Sequence, residues 1–146
     1  MSCSPERDAL VKLLIERFRH RPKCLTPQQT VAVIRRLIRH ARWMSNGCIA
    51  YTGALNNDHY GKMNLRLHGQ HHQLYVHKLA WQLSTGGGDL PEWIEIAHSC
   101  DTPPCFHPEH VAPERRDRNR QRSGERTQAK LRGLIPRAPR DYRAAA

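Results

Sequence analysis

An α+β fold is what this sequence predicts, and three observations predict it. Apolar residues recur at helical spacing before Arg42, then at alternate positions after Gly61. With 146 residues, 38% of them hydrophobic, the chain can bury only a modest core and gains from a staple. Such a staple is legible in Cys100, Cys105 and His110, two thiols and an imidazole at the regular spacing Cys-x4-Cys-x4-His. The expectation is a small zinc-stabilised core with an antiparallel β-ribbon, two N-terminal helices and a basic C-terminal tail.

The elements follow in order. Ser4-Pro5-Glu6 has the form of a helix start, a serine cap with proline in the first turn, and Leu10, Leu14, Ile15 and Phe18 repeat at helical spacing behind it. His20-Arg21-Pro22-Lys23 ends that helix. Thr26-Pro27 opens a second, with Val31, Ile34, Leu37, Ile38 and Ala41 as its apolar stripe and Arg35, Arg39 and Arg42 on another face. The link from Arg19 to Leu25 is longer than the short turn of a helix-turn-helix, which argues against that motif. Cys48 to Thr52 is short and β-prone.

Lys62 to Leu67 alternates polar with apolar, His68-Gly69 turns the chain, and Gln70 to Val76 alternates again, so a hairpin is expected. Its inner face carries Met63, Leu65, Leu67, Leu74 and Val76. The outer face presents Lys62, Asn64, Arg66, Gln73 and Tyr75, groups suited to base edges in a major groove or to plain solvent. His77 to Ser84 predicts a helix with Leu79, Ala80 and Leu83 inward, closed by Gly86-Gly87-Gly88, which lack the spacing of a nucleotide loop. Ile94 to His98 predicts a strand that puts His98 on the face of Ile94 and Ile96. Pro113 to Arg122 predicts a helix with no apolar side, exposing Arg115 and Arg116. The organisation is thus a basic helical segment at 1–46, a core at 47–122, and a basic tail at 123–146, either disordered or a dimer arm.

Charge bears on the partner. Residues 1–42 carry 10 basic and 3 acidic side chains, residues 43–112 carry 3 and 6, and residues 113–146 carry 11 and 4, within a total of +11. A near-neutral centre between basic flanks is suited to clamping a polyanion, with double-stranded DNA the expected partner. Five cysteines and no apolar leader or membrane-length stretch point to a reducing, intracellular setting, the cytoplasm of a bacterial or phage-infected cell or a nucleus. Thiols there are free or metal-bound. Cys3 and Cys24 have no histidine at ligand spacing.

Zinc in a structural site takes four nitrogen or sulfur ligands in a tetrahedron. Cys48, the remaining cysteine of the neutral centre, is the natural fourth ligand. His107 is the rival, disfavoured because it lies two residues from Cys105 and precedes Pro108. His98 sits just outside the set, free for chemistry.

With these residues placed, the chain resembles the His-Me finger (ββα-metal) endonucleases, in particular the zinc-bound HNH proteins and the His-Cys box homing endonucleases. The matching segments are Gly47-Cys48-Ile49-Ala50-Tyr51-Thr52-Gly53, Tyr60-Gly61-Lys62, Val76-His77-Lys78-Leu79-Ala80-Trp81, the run from His98 through Cys100, Cys105 and His110, and Asn119, covering residues 47 to about 122. The resemblance implies that His98 is a general base, that Asn119 holds a catalytic Mg²⁺ or Mn²⁺, that Cys48, Cys100, Cys105 and His110 hold structural zinc, and that Arg66 assists the phosphate. Where this chain has His107, family members usually have asparagine.

The implied activity is metal-dependent hydrolysis of DNA phosphodiesters, with site-specific cleavage of the homing or phage HNH kind. A homodimer on a pseudopalindrome, embraced by the tail from Leu131 to Tyr142, is one way for so small a subunit to read a long site. The alternative is a catalytically silent zinc-stabilised DNA-binding module. An RNA-binding zinc protein is less favoured, since no aromatic pair stands on the ribbon to stack bases.

Overall fold

Residues 4–134 are described by a computed structural model. The order of elements is α1 (Pro5–Arg17), α2 (Pro27–Arg39), β1 (Ala41–Trp43), β2 (Ile49–Tyr51), β3 (Lys62–Leu67), β4 (Gln70–Tyr75), α3 (Val76–Thr85), β5 (Ile94–His98), β6 (Val111–Arg115) and α4 (Arg116–Leu131). The fold is α+β, with the strands in three antiparallel pairs, β1 with β2, β3 with β4 and β5 with β6. None of the described helices is long and apolar enough to cross a membrane.

Both N-terminal helices start where their caps lie. The Ser4 hydroxyl accepts from the Arg7 amide, and Thr26 and Gln29 form a reciprocal capping box. Arg7 then reaches across to donate to the carbonyls of Ile38 and Ala41, at 2.5 Å each, where α2 has run out of intrahelical partners. The buried face of α2 is Thr30, Val33 and Leu37, and Val31, expected in the stripe, is 49% exposed. Val31 lies about 100° around the helix from Thr30, enough to carry it off that face. Ile15 of α1 is exposed for the same reason. Ala41 is buried not as helix but as the first residue of β1, a strand the sequence pattern did not reveal.

The main hairpin has the expected register. Lys62 faces Tyr75 and Leu67 faces Gln70, with His68 and Gly69 both at positive φ in the turn. Met63, Leu67 and Val76 are buried, Leu65 and Leu74 partly so, and Asn64, Arg66, Gln73 and Tyr75 are exposed. One apolar cluster joins Leu10 and Leu14 of α1, Leu37 of α2, Met63 of β3, Leu79 of α3 and Ile96 of β5. The N-terminal helices therefore share the core of the segment at 47–122. Gly61 runs so close to Tyr51 that a Cβ would come within 2.9 Å of its ring, which makes glycine the residue that fits.

The expected helix at 113–122 begins later. Val111–Arg115 is strand β6, with Pro113 opposite Ile96. β6 pairs on one side only, so a residue without an N–H fits when its nitrogen faces away from β5. Helix α4 then runs on through Ser123 and Gly124 to Leu131. Of the arm expected at Leu131–Tyr142, the positions after Leu134 lie outside the described residues.

Candidate metal centre and the adjoining cleft

Chain geometry brings Cys48 to the loop after β5. Gly47, at φ 82°, closes a turn before Cys48, and Asn46 accepts from the Cys48 amide. β2 then pairs with the loop itself, with Tyr51 N–H donating to Pro104 O and Phe106 N–H to Ile49 O, each at 2.9 Å. Cys48, Cys100, Cys105 and His110 consequently form one cluster whose ligand atoms all lie within 4.8 Å of one another. His110 Nδ1 is 3.6 Å from the Cys48 sulfur and 3.5 Å from that of Cys105. In a tetrahedron with bonds of about 2.3 Å to sulfur and about 2.0 Å to nitrogen, the sulfur-to-nitrogen edge is about 3.5 Å. The four residues can hold a metal ion such as zinc.

The acid–base chemistry of the cluster also asks for a cation. The Cys48 thiol is held low because the sulfurs of Cys100 and Cys105 donate to its thiolate, while Cys105, donor to Cys100 and Cys48 and well buried, is pushed up. Three sulfurs in contact do not ionise together without a positive charge among them. Met44 and Ala50 wall the group on its apolar side. His107 is not a member. Its Nδ1 accepts from the Glu109 amide at 3.1 Å and its ring stacks on His110, centroids 4.5 Å apart, so it steadies a ligand.

His98 ends β5, 8% exposed, and its Nε2 lies 2.8 Å from the carbonyl oxygen of Cys105. A carbonyl only accepts, so Nε2 carries the proton and the neutral ring keeps its lone pair on Nδ1. Burial pushes His98 below the ordinary histidine value, against the pull of the Cys105 carbonyl in the other direction. Over this ring lie His77 and Tyr60, with centroids at 4.8 and 5.6 Å.

Those two covering rings line a cleft of about 500 Å³ together with Tyr75, Lys78, Glu95 and Asn119. Asn119, on the second turn of α4, donates from Nδ2 to Glu95 Oε1 at 2.6 Å and accepts at Oδ1 from Arg122 at 3.1 Å. Arg122 also pairs with Glu114 at 2.6 Å. Helix α4 buries no residue. Polar ties dock it instead: Arg116 N–H to Trp93 O, Arg126 to Ser99 O, and Lys130 to Asp101.

Arg66 stands elsewhere. It is exposed, donates to Gly69 O near the hairpin tip, and lies four residues along β3 from Lys62, the partner of Tyr75, or about 13 Å. Lys62, Asn64, Gln73 and Tyr75 occupy one side of the same ribbon, whereas Arg115 and Arg116 are on the β6–α4 junction, the first paired with Asp117 and the second 3.6 Å from Glu95. Sequence reasoning assigned no role to Tyr60, His77, Lys78 or Glu95. Glu95 had a signal, being a carboxylate between Ile94 and Ile96 on a strand in the chain's neutral centre.

The chain is 29% identical over 77 residues to Protein 2.8 of Escherichia phage T7, a match covering 53% of this chain and 49% of that protein. It thus spans about half the length of this curated relative. No family model matches, and no solved structure matches.

Proposed function

We propose that this chain is a metal-dependent DNA endonuclease of the His-Me finger (ββα-metal) type, hydrolysing a phosphodiester with one histidine base and one divalent cation. What carries the reading is the hydrogen bond from His98 Nε2 to the Cys105 carbonyl. It ties a candidate base to the metal loop and leaves Nδ1 as the proton acceptor. A water oxygen forms the new bond to phosphorus as its proton passes to Nδ1. The bond from phosphorus to the 3′ oxygen breaks, and that oxygen leaves with the electron pair and takes a proton from solvent.

Zinc at Cys48, Cys100, Cys105 and His110 holds this geometry. Asn119, through Oδ1, is the residue that would hold Mg²⁺ or Mn²⁺, which when bound supplies Lewis-acid stabilisation of the phosphoryl charge. That oxygen is engaged by Arg122 in this structure. The second guanidinium partner, Glu114, gives Arg122 a place to remain when Oδ1 is released. The ribbon residues Lys62, Asn64, Gln73 and Tyr75, with Arg115 and Arg116, face double-stranded DNA, and site-specific cleavage as a homing or phage HNH enzyme is the role that fits.

The test is nicking of supercoiled plasmid with Mg²⁺ or Mn²⁺ by wild type and His98→Ala, alongside zinc content and duplex binding. Cleavage by wild type alone, with binding and zinc kept in both, supports the reading. Equal cleavage by both overturns the assignment of His98. Binding without cleavage by either leaves the catalytically silent DNA-binding module, a reading favoured by the hydrogen bond of Arg122 to Asn119.

A further inference from the structure

We propose that His77 is a second histidine of the same centre and contacts the substrate directly, its Nε2–H donating to a non-bridging oxygen of the scissile phosphodiester. This rests on the nuclease reading above. His77 stands in the first turn of α3 and lines the cleft with Tyr60, Tyr75, Lys78 and Asn119. Its ring packs on His98 with a centroid separation of 4.8 Å, and on Tyr60 at 5.3 Å and Tyr75 at 5.8 Å. The aromatic packing fixes where the ring sits.

What the packing leaves unexplained is the polarity of the ring. Its Nδ1 is buried and has no hydrogen-bond partner. Leaving a buried polar atom unmatched costs stability, a penalty that phenylalanine at this position would avoid. An imidazole is useful here only through its other nitrogen, Nε2, on a ring that lines the cleft. The proton belongs on Nε2, because a desolvated Nδ1 is better left as a bare lone pair than as an N–H with nothing to meet.

The ring is also held neutral. Burial, then the neighbouring His98 and the charge of Lys78, bring its pKa down to about 3. A neutral N–H gives a directed hydrogen bond to a phosphate oxygen and does not compete with His98 for the proton of water. Lys78, next along the same turn and on the same cleft wall, supplies the positive charge that a neutral donor lacks. The ligand implied is therefore a phosphodiester whose anionic oxygens meet one imidazole donor and one ammonium.

Two substitutions separate a donor from a packing ring. His77→Phe keeps the ring against His98 and Tyr60 but has no N–H; His77→Gln keeps a neutral N–H donor and gives up the ring. On zinc-loaded full chain, His77→Phe should lower the maximal cleavage rate about 100-fold with duplex affinity nearly unchanged, the loss typical of one transition-state donor. His77→Gln should recover at least tenfold of that loss. Phenylalanine cleaving as well as wild type, or glutamine doing no better than phenylalanine, overturns the proposal.

A second readout does not depend on turnover. With duplex DNA and Ca²⁺ in place of Mg²⁺, the ¹⁵N-labelled Nε2–H of His77 should slow in exchange with water and shift. A His77 resonance unmoved by bound DNA counts against the hydrogen bond. The same shift in a protein that cleaves nothing sinks the hydrolytic reading while leaving His77 as a phosphate ligand.

Discussion

His98 and Cys105 are joined by a 2.8 Å hydrogen bond from imidazole Nε2 to backbone carbonyl, so the candidate base is fastened to the loop that carries three of the four candidate metal ligands. On the proposed function, folding and chemistry are coupled at that point. Loss of an ion held at the cluster would free the loop, and the loop is what sets the tautomer of the ring.

Metal removal is therefore expected to unfold the chain. Structural zinc contributes on the order of 10 kcal/mol in small zinc peptides, comparable with the whole net stability of a domain. The thermal unfolding transition, followed by circular dichroism, should collapse when a strong chelator is added and return with Zn²⁺. Cys48→Ser should reproduce the loss in the presence of zinc. A transition that ignores the chelator would show that the apolar cluster suffices by itself.

His98→Ala is expected to lower cleavage by about 10²- to 10⁴-fold, the range for a positioned general base. It also strips the Cys105 carbonyl of its partner, so stability should fall by about 1–3 kcal/mol. Denaturant unfolding and single-turnover cleavage, measured on the same preparation, separate the two effects. His98→Gln should restore much of the stability, its amide able to reach a carbonyl, and none of the rate.

Much of this fold was legible because short-range signals decide it. The caps at Ser4 and Thr26, the alternation through Lys62–Leu67 and the turn at His68-Gly69 each act within a few residues of where they are written. The metal cluster was legible for a similar reason, three of its ligands lying in one loop. What could not be read was pairing at a distance. β1 exists because Ala41 meets Tyr51, and β6 because Val111–Arg115 finds β5, overriding a polar sequence with the look of a helix. The cleft was hidden likewise, since Glu95 and Asn119 meet across 24 positions. Arg66 looked suited to the site because it is an isolated arginine, but the hairpin register carries it toward the tip.

Stability should fall on acidification because of His77. Its folded pKa is about 3, against about 6.5 when unfolded, so the unfolded chain takes up the proton first. The contribution is fully present above pH 6.5 and is lost as pH falls toward 3, at up to about 1.4 kcal/mol per pH unit for one proton. Urea unfolding between pH 7.5 and pH 5.5 with zinc in excess measures it. His77→Phe should flatten the slope by close to one proton, and an unchanged slope would show that His77 titrates normally in the folded chain.

Asn119 and Arg122 should move the metal requirement in opposite directions. Arg122→Ala removes the guanidinium from Asn119 Oδ1 and leaves that oxygen to a cation, whereas Asn119→Ala removes the oxygen. Changes to the partners of a metal ligand commonly alter affinity 10- to 100-fold. The Mg²⁺ concentration giving half-maximal cleavage should fall at least several-fold in Arg122→Ala and rise in Asn119→Ala, together with a lower rate. Glu114 loses its ion-pair partner in the first variant, so a thermal unfolding curve should accompany the titration. If both variants need the same Mg²⁺ as wild type, the cation is held elsewhere.

Arg66 is expected to act in binding and not in the chemical step. It is exposed on β3, about 13 Å along the strand from the cleft-side pair of Lys62 and Tyr75, too far for its side chain to share one phosphate with Asn119 and His77 while bonded to Gly69. Removing one cation that pairs with a DNA phosphate reduces the slope of log affinity against log salt by about 0.9 for a duplex. Arg66→Ala should therefore weaken duplex binding mainly at low salt, with the single-turnover rate at saturating protein within about threefold of wild type. Lys78→Ala, on the cleft wall, should instead lower that saturated rate. Fluorescence anisotropy across a salt series, with single-turnover cleavage of the same duplex, distinguishes them. A large loss of saturated rate in Arg66→Ala would mean that bound DNA draws the hairpin tip to the scissile phosphate, restoring to Arg66 the role that the sequence resemblance implied.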